Sequence, residues 1–555
     1  MGTRDEQASE GFLGALRRLG RGVSGRGAHG EIPQLPHRPV DPIPGVARRG
    51  EALVAGLFEF GGQTVRDAEV GKSGETPWRH REVGDDWLGA LHSFAWLRDL
   101  HAAGSAQAAE RGRVMVLDWL RQHRTIENSS VEASGPESLG RRLSAWLAHS
   151  EFLLQGADNE FARHFHQALD LQARQLARTA RNAGKGLPQL IAYKGLIESG
   201  LCLPDGERRI AQGLKLLEAA LAQQLLGDGG YVERNPSAQL AAIWCLAGLR
   251  ATLDAGEHSA SQVLTEAIAR LGSTLRLFRH GDGGLALFNG AVEEERGLVD
   301  LALSRAAAST GAAPRDAPDT GFTRIEARHA TLIADTGAPS DTGRWAHAGT
   351  LSFEIGTGRE RLIVNCGGWR GADAEWREAL RGTAAHSTLV VDDTNSATLG
   401  ADGTIADGPN AVKVERRDQD GATWIDASHD GYLDTLGLLH KRRLYAGRDG
   451  ADVRGEDTLT QVRRRRRRGR EFALRFHLHP EVRCAMTEDR RAVLLRLPSG
   501  AAWQMRCAGA SISVDESVYA GDGVTRRRTS QVALTGPIED ATTVKWALKR
   551  LPKGS

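Results

Sequence analysis

The chain lacks any apolar run long enough to span a bilayer, which takes about 18 residues or more. Near the N-terminus, between Met1 and Ala28, the longest apolar stretch is Phe12–Leu16, and arginines follow it. Such a stretch is too short for the apolar core of a secretory leader. The sequence therefore predicts a protein that does not span a membrane, with a cytoplasmic location as the direct expectation.

Cysteine is also scarce, and its distribution excludes two kinds of site. The five cysteines are scattered, show no CxxC spacing and are odd in number. This pattern disfavours a disulfide framework and a cysteine-based zinc site, so we expect buried free thiols. The chain likewise has no P-loop, no dinucleotide-binding glycine fingerprint after a strand and no G-x-S-x-G elbow.

Neither sign of charge is in excess, since 72 Lys and Arg residues face 70 Asp and Glu residues. Bulk charge therefore argues neither for nucleic acid nor for an anionic membrane as partner. The local exception is Arg463–Arg468, six consecutive arginines. This run is either a solvated hairpin tip or a loop that binds polyanions through guanidinium groups. No aromatic residues interleave with it, which disfavours nucleic acid.

The 555 residues exceed one typical core and divide by pattern. Residues 1–45 are rich in Gly, Arg and Pro and predict a disordered arm. Residues 46–307 carry amphipathic helical periodicity, as in Trp87–Leu100, and predict an all-helical layer. Residues 308–321 have linker composition, and residues 322–555 consist of short β-branched runs between turns, typical of an antiparallel sandwich.

Several blocks of the chain, taken in order, carry a family resemblance. They include Phe278–Gly290, Ala346–Glu354, Arg381–Asp393 and Phe476–Pro480. Together they resemble the heparinase II/III family of polysaccharide lyases. The resemblance implies an α+β multidomain protein, in which an N-terminal incomplete α/α toroid is followed by a C-terminal antiparallel β-sandwich. It also implies β-elimination on an acidic, uronate-containing polysaccharide.

A uronate lyase must neutralise a carboxylate, remove the adjacent proton and protonate the leaving oxygen. Similar lyases carry a tyrosine and a histidine in the segment that matches Tyr231–Gln239, where this chain has Ala238 and Gln239 instead. The candidate catalytic residues are therefore His386, Arg234 and a substituting tyrosine, namely Tyr231, Tyr432 or Tyr193. The candidate substrate-binding residues are Glu233, Arg234, Asn235 and Arg381, with the arginines as carboxylate clamps.

The resemblance also raises the question of zinc, since metal-containing relatives use two histidines with an aspartate between them. His347 and His386 match the histidines, and Asn365 stands at the intermediate position. Asparagine is a poor zinc ligand, so binding would need water or another side chain such as His429. The alternative is that each histidine is a hydrogen-bonded strand residue at a domain interface. We expect His347 and His386 to face each other across neighbouring strands of the sandwich, near the helical domain.

Two functions follow. The first is a lyase that cleaves an acidic glycan in a cleft between toroid and sandwich. The second is a non-catalytic glycan-binding or cell-envelope-associated protein that keeps the fold and has lost the catalytic tyrosine. Family members that degrade polysaccharide commonly carry a signal peptide, which makes the envelope or periplasm the alternative location. The oligomeric state stays open.

Overall fold

A computed structural model describes residues 35–67, 77–79, 83–123, 131–463, 470–539 and 541–552. The helical half begins with α1 (Ala47–Val54), followed by a hairpin of β1 (Leu57–Phe60) and β2 (Gln63–Arg66). The remaining helices are α2 (Asp85–Ser93), α3 (Leu97–Ala103), α4 (Ala106–Gln122), α5 (Val131–Ser134), α6 (Pro136–Ala148), α7 (Ser150–Leu154), α8 (Asn159–Thr179), α9 (Leu187–Cys202), α10 (Glu207–Gln224), α11 (Pro236–Ala255), α12 (Gln262–Leu275) and α13 (Arg296–Arg305).

Two kinds of helix build this half. Helices such as α8 and α10 are amphipathic and bury one face. In contrast, α9 and α11 are buried on nearly all sides, as expected of the inner layer of a toroid. Glycines allow α6 and α9 to cross closely, because a Cβ on Gly195 would lie 2.5 Å from the Cα of Gly140. Larger residues at these positions would separate the two helices.

The described part of the expected N-terminal arm is packed, which corrects the prediction of disorder for residues 35–45. The amide of Val40 donates to Thr252 Oγ1 on α11 at 3.1 Å. The carboxylate of Asp41 lies 3.0 Å from Arg98 and 3.2 Å from His149. We name residues 35–46 the strap. It crosses the inner helices beside a cavity of about 190 Å³, while residues 1–34 lie outside the described residues.

The second half is an antiparallel β-sandwich. Its strands are β3 (Asp316–Ala317), β4 (Phe322–Glu326), β5 (Thr331–Asp335), β6 (Phe353–Thr357), β7 (Glu360–Val364), β8 (Leu389–Val391), β9 (Thr398–Leu399), β10 (Ile405–Asp407), β11 (Val412–Gln419), β12 (Ala422–His429), β13 (Leu438–Ala446), β14 (Asp452–Gln461), β15 (Glu471–Leu478), β16 (Arg483–Met486), β17 (Ala492–Arg496), β18 (Ala502–Ala508), β19 (Ser511–Tyr519), β20 (Arg527–Pro537) and β21 (Ala541–Arg550). Two short helices interrupt them, α14 (Ala374–Arg381) and α15 (Leu433–Leu436).

The strands form two large sheets. One has eight strands in the order β11-β12-β13-β14-β21-β18-β17-β16, and the other has nine, in the order β19-β20-β15-β7-β6-β5-β4-β3 with β8 beside β15. Side chains from both sheets fill the space between them, as where Phe353 stacks on Trp546 with centroids 5.6 Å apart. The expected fold class, a helical toroid followed by an antiparallel sandwich, is confirmed.

Charged pairs join the two halves at what we call the junction. Arg234, which follows α10, forms an ion pair with Asp335 on β5. His280, which follows α12, lies 2.8 Å from Glu354 on β6. The helical half thus rests on the nine-stranded sheet. Among the described residues, no helix is long and apolar enough to cross a membrane.

Candidate functional site

The predicted carboxylate clamp Arg234 is a structural tie at the junction. Its backbone has a φ of +54°, and its side chain is 6% exposed. The guanidinium donates to the carbonyls of Thr320 at 2.6 Å and Gly321 at 3.2 Å, and it pairs with Asp335. These partners belong to the protein, so the geometry assigns Arg234 to the domain contact.

The side chains of the two neighbours of Arg234 also make hydrogen bonds within the protein. Asn235 caps α11, since its Oδ1 accepts from the amides of Ser237 at 2.8 Å and Ala238 at 3.1 Å. Its Nδ2 donates to the carbonyl of Asn289 at 2.7 Å. Glu233 Oε1 accepts from the amide of Leu187, the first residue of α9, at 2.8 Å. Burial raises the pKa of Glu233.

Ala238 and Gln239 stand in the first turn of α11, where the resemblance expects a tyrosine and a histidine. Gln239 is buried, and its Oε1 accepts from the amide of Tyr231 at 3.2 Å while its Nε2 donates to the carbonyl of Leu271 at 2.8 Å. The Gln239 side chain therefore has a structural role, since both of its polar atoms bond to the backbone. No acid or base stands at either of these two positions.

The candidate tyrosines are buried. Tyr231 donates its hydroxyl to Gln224 Oε1 at 2.8 Å, and Tyr432 donates to the carbonyl of Leu389 at 2.8 Å inside the sandwich. Burial raises the pKa of both hydroxyls and that of Tyr193, which lies in the core of the helical half. For Tyr231 and Tyr432, the proton that a leaving group would need is held in a hydrogen bond within the fold.

His347 and His386 face each other, as the sequence predicted. Neither lies within a strand as predicted: His347 is in the loop before β6, where Leu351 has a φ of +63° that no strand accommodates, and His386 follows a 3₁₀ turn (Thr383–Ala385) before β8. Nδ1 of His347 lies 3.0 Å from Nε2 of His386, and the rings are nearly perpendicular at 82°. We call these two residues the histidine pair.

The hydrogen bonds determine which ring nitrogens of the histidine pair carry a proton. Nδ1 of His386 lies 2.8 Å from the carbonyl of Gly382, which can only accept, so this nitrogen carries the proton. Nε2 of a neutral His386 then accepts from Nδ1 of His347, which leaves Nε2 of His347 with a free lone pair. Burial lowers the pKa of His386 to about 4 and that of His347 well below the ordinary value. The pair is neutral at pH 7.

The free nitrogen of His347 points to the junction. It lies 3.3 Å from where a Cβ on Gly290 would stand, and the same point lies 3.6 Å from Asn235 Nδ2. Any side chain at position 290 would crowd both groups. Among the described residues, the bond from Nδ1 to His386 is the one hydrogen bond of the His347 side chain, so Nε2 offers an unprotonated nitrogen at the domain boundary.

Arg381 orients the histidine pair. Its side chain is fully buried and donates to the carbonyls of Ala346 at 3.0 Å, Gly400 at 3.1 Å and Thr404 at 2.7 Å. Its own carbonyl accepts from the amide of Ala348 at 2.9 Å. Both neighbours of His347 are thus bonded to Arg381. The geometry makes Arg381 a positioning residue in place of the predicted carboxylate clamp.

The expected zinc ligands do not form a metal site. Oδ1 of Asn365 already accepts from the amide of Ser387 at 3.0 Å, and the histidine pair is hydrogen-bonded to itself. His429, the suggested helper, belongs to a separate buried chain that runs through His440 to Asp457. Within the described residues, no group of three or more His, Cys, Asp or Glu side chains is arranged to hold a metal. The residues present therefore do not fit zinc.

Sequence reasoning missed a second polar cluster at the junction. Glu293 accepts from the Tyr519 hydroxyl, and its carboxylate lies 3.8 Å from His479. Burial alone would raise the pKa of Glu293, but bonding to His479, the charge of Arg361 and the bond from Tyr519 lower it to about 2. His479 lies in a block that carried the resemblance. Its partner on the helical side comes from a distant segment, so no spacing rule could indicate it.

The arginine run is only partly described. Arg463 is 58% exposed and 3.6 Å from Asp434. Arg464–Arg468 lie outside the described residues. The predicted polyanion-binding loop stays a prediction.

Comparison with known proteins places the architecture in a family. Residues 309–547 match the model of the heparinase II/III-like C-terminal domain. The chain is 31% identical over 538 residues to FtsZ-localized protein C of Caulobacter vibrioides, covering 93% of this chain and 90% of that protein. The crystal structure of heparinase III superposes with a TM-score of 0.75 at 14% identity, over 99% of this chain and 91% of that one. Heparan sulfate lyase HepC of Pedobacter heparinus gives a TM-score of 0.58 at 14% identity, over 92% and 83%. The chain belongs to the heparinase II/III-like family.

Proposed function

We propose that this protein is a non-catalytic member of the lyase family, which keeps the toroid and sandwich and uses them for binding. The observation that carries the proposal is Gln239, a buried amide that holds the Tyr231 backbone at the position where the resemblance expects a catalytic histidine. The hydroxyls of Tyr231 and Tyr432 are engaged within the fold. A base without a general acid forfeits roughly two to four orders of magnitude in rate.

FtsZ-localized protein C, which matches 93% of this chain, suggests where such a protein acts. FtsZ-localized protein C is similar over both halves of the chain, at 31% identity. We infer that this protein also localises with FtsZ and serves there as a binding protein for an acidic glycan or another component of the division site. Its compartment would then be the one in which FtsZ resides.

Localisation can be tested in Caulobacter vibrioides lacking FtsZ-localized protein C. A fluorescent fusion of this chain is expected to coincide with labelled FtsZ and to disperse when FtsZ is depleted. A diffuse signal at normal FtsZ levels, from a fusion that is intact by immunoblot, would overturn the inference.

Loss of catalysis can be tested separately with the purified protein. We expect no ultraviolet-absorbing unsaturated product from heparin, alginate, hyaluronan or bacterial exopolysaccharides. Product formation that disappears in His347→Ala, with the fold retained by circular dichroism, would overturn the non-catalytic proposal.

A lyase is the second candidate, and the histidine pair is the observation that favours it. His347 Nε2 carries a lone pair that no hydrogen bond uses, and it lies beside Asn235 at the junction. A base at this position could remove the proton next to a uronate carboxylate. The leaving oxygen would then need its proton from water or from the substrate. Such an enzyme would be slow, and His347→Ala would abolish its remaining rate.

A further inference from the structure

The outer face of the eight-stranded sheet contains a shallow groove of about 520 Å³. It crosses β13, β14, β21 and β18, which are neighbours in the sheet. Residues of alternate positions on these strands point into it, as strand geometry requires. The outward residues that line it are Arg443, Tyr445, Arg454, Glu456, Lys545, Ala547, Lys549, Arg506 and Ala508.

The strand register arranges these side chains in a row. Tyr445 pairs with Arg454, Arg454 with Ala547, and Ala547 with Arg506. Trp424 extends the row on the next strand, opposite Tyr445. Along the row, two aromatic side chains are followed by a cation, a small residue and a second cation. The methyl group of Ala547 forms a low floor between two long basic side chains.

The groove carries a net positive charge. Three of its five cations are paired with carboxylates, namely Arg454 with Asp452, Arg443 with Asp426 and Glu456, and Lys545 with Glu456. Within the described residues, Arg506 and Lys549 form no ion pair, and both are exposed. A negatively charged partner would neutralise these two cations.

An aromatic pair lies at one end of the row. The rings of Trp424 and Tyr445 have centroids 5.1 Å apart, and the Arg454 guanidinium lies 5.7 Å from the Tyr445 ring. Ring faces on an open sheet offer a surface to the C–H face of a sugar. An acidic peptide would use the cations but would have less use for the rings.

We propose that this groove, lined by Arg443, Arg454, Lys545, Lys549 and Arg506 with Trp424 and Tyr445 at one end, binds a uronate-containing glycan chain. The junction with its histidine pair belongs to the nine-stranded sheet, so this is a second surface on the opposite side of the sandwich. The inference rests on the proposed glycan-binding function and names its surface, and it does not depend on whether the junction is catalytic.

The test measures the affinity of the full-length protein for a hyaluronan oligosaccharide by titration calorimetry at low salt. Arg506→Ser/Lys549→Ser is expected to weaken binding about tenfold, and raised salt should weaken it further. The matched control is Arg208→Ser/Lys215→Ser, which removes the same charge from exposed positions of α10. All variants keep the arginine run, so its contribution stays constant.

Each outcome of these measurements supports or overturns the proposal. Equal affinity for the groove variant and the control variant would overturn the proposal, provided both melt like the wild type. Trp424→Ala separates a glycan from an acidic peptide, with polyglutamate as second probe. Weaker hyaluronan binding with unchanged polyglutamate binding supports the glycan. Polyglutamate binding as tight as hyaluronan binding, and indifferent to Trp424, would overturn it in favour of an acidic protein segment.

Discussion

Nδ1 of His347 donates to Nε2 of His386 at 3.0 Å, and the two imidazoles are only 3% and 2% exposed. This relationship carries a pH dependence. Burial is the main cause that lowers both pKa values, to about 4 for His386 against an ordinary 6.5. Below pH 6.5, the unfolded chain therefore binds protons that the folded pair does not.

We expect the free energy of unfolding to fall as the pH drops from about 6.5 towards 4, with each buried histidine contributing about 2 kcal/mol of loss at pH 5. His386→Gln should reduce the loss between pH 7 and 5 by about that amount, because glutamine does not titrate. Urea unfolding at a series of pH values measures this. His258→Gln, which replaces a histidine at an exposed position, is the control variant.

The ion pair between Arg234 and Asp335 predicts a large stability effect. Asp335 is buried, and burial raises its pKa although Arg234 acts in the opposite direction. Arg234→Met would leave this carboxyl group without its cation, which costs about 3–5 kcal/mol. Replacing both residues, as Arg234→Met/Asp335→Leu, should cost less than the sum of the single changes, because no unpaired charge stays buried. Denaturant unfolding of the four proteins checks this. Additive losses would mean that the pair contributes nothing beyond packing.

The helical half and the sandwich could be predicted because the sequence patterns that distinguish helices from strands involve only residues close together in the chain. Periodicity distinguishes amphipathic helices such as α8 and α10 from the strands of the sandwich, and it needs only neighbouring residues. The contact between the two histidines was also anticipated, since two similar segments each place one imidazole near the start of a predicted strand. The start of β6 was missed, because the left-handed backbone at Leu351 has no signature in an apolar run.

The sequence did not indicate which polar side chains already have hydrogen-bond or ion-pair partners within the protein. Arg234 finds Asp335 at a separation of 101 residues, and Val40 finds Thr252 at a separation of 212. Composition made residues 35–45 look disordered, and residue type made Arg234 and Arg381 look like carboxylate clamps. Only tertiary contacts show that the fold itself uses these groups.

Tyr231 and Tyr432 predict a matched pair of stability effects. Removing the Tyr231 hydroxyl leaves Gln224 Oε1 without this donor, and Tyr432→Phe does the same to the carbonyl of Leu389. Each change to phenylalanine is expected to cost about 1–2 kcal/mol, because a buried acceptor loses its partner. Glycan affinity should not change in either variant. A loss of glycan turnover in Tyr231→Phe alone, at unchanged stability, would instead identify Tyr231 as a proton donor.

The strap predicts a local effect that proteolysis can measure. Asp41 lies 3.0 Å from Arg98 and 3.2 Å from His149, and its side chain is 15% exposed. Burial alone would raise its pKa, but the hydrogen bond to His149 and the charge of Arg98 lower it. The attachment is therefore complete above the ordinary carboxyl pKa and is lost as the pH falls through the lowered value.

Asp41→Ala should release the strap at neutral pH, because Arg98 and His149 lose their shared acceptor. Weakening the attachment by about 1–2 kcal/mol would speed proteinase K cleavage within the strap by roughly tenfold, since local opening exposes the backbone to the protease. Glu218→Ala removes an exposed carboxylate from α10 and serves as the control. If both variants are cleaved at the wild-type rate while the global unfolding midpoint is unchanged, the other attachments of the strap, from Arg38 to Glu151, Val40 to Thr252 and Val46 to Asp99, hold it without Asp41.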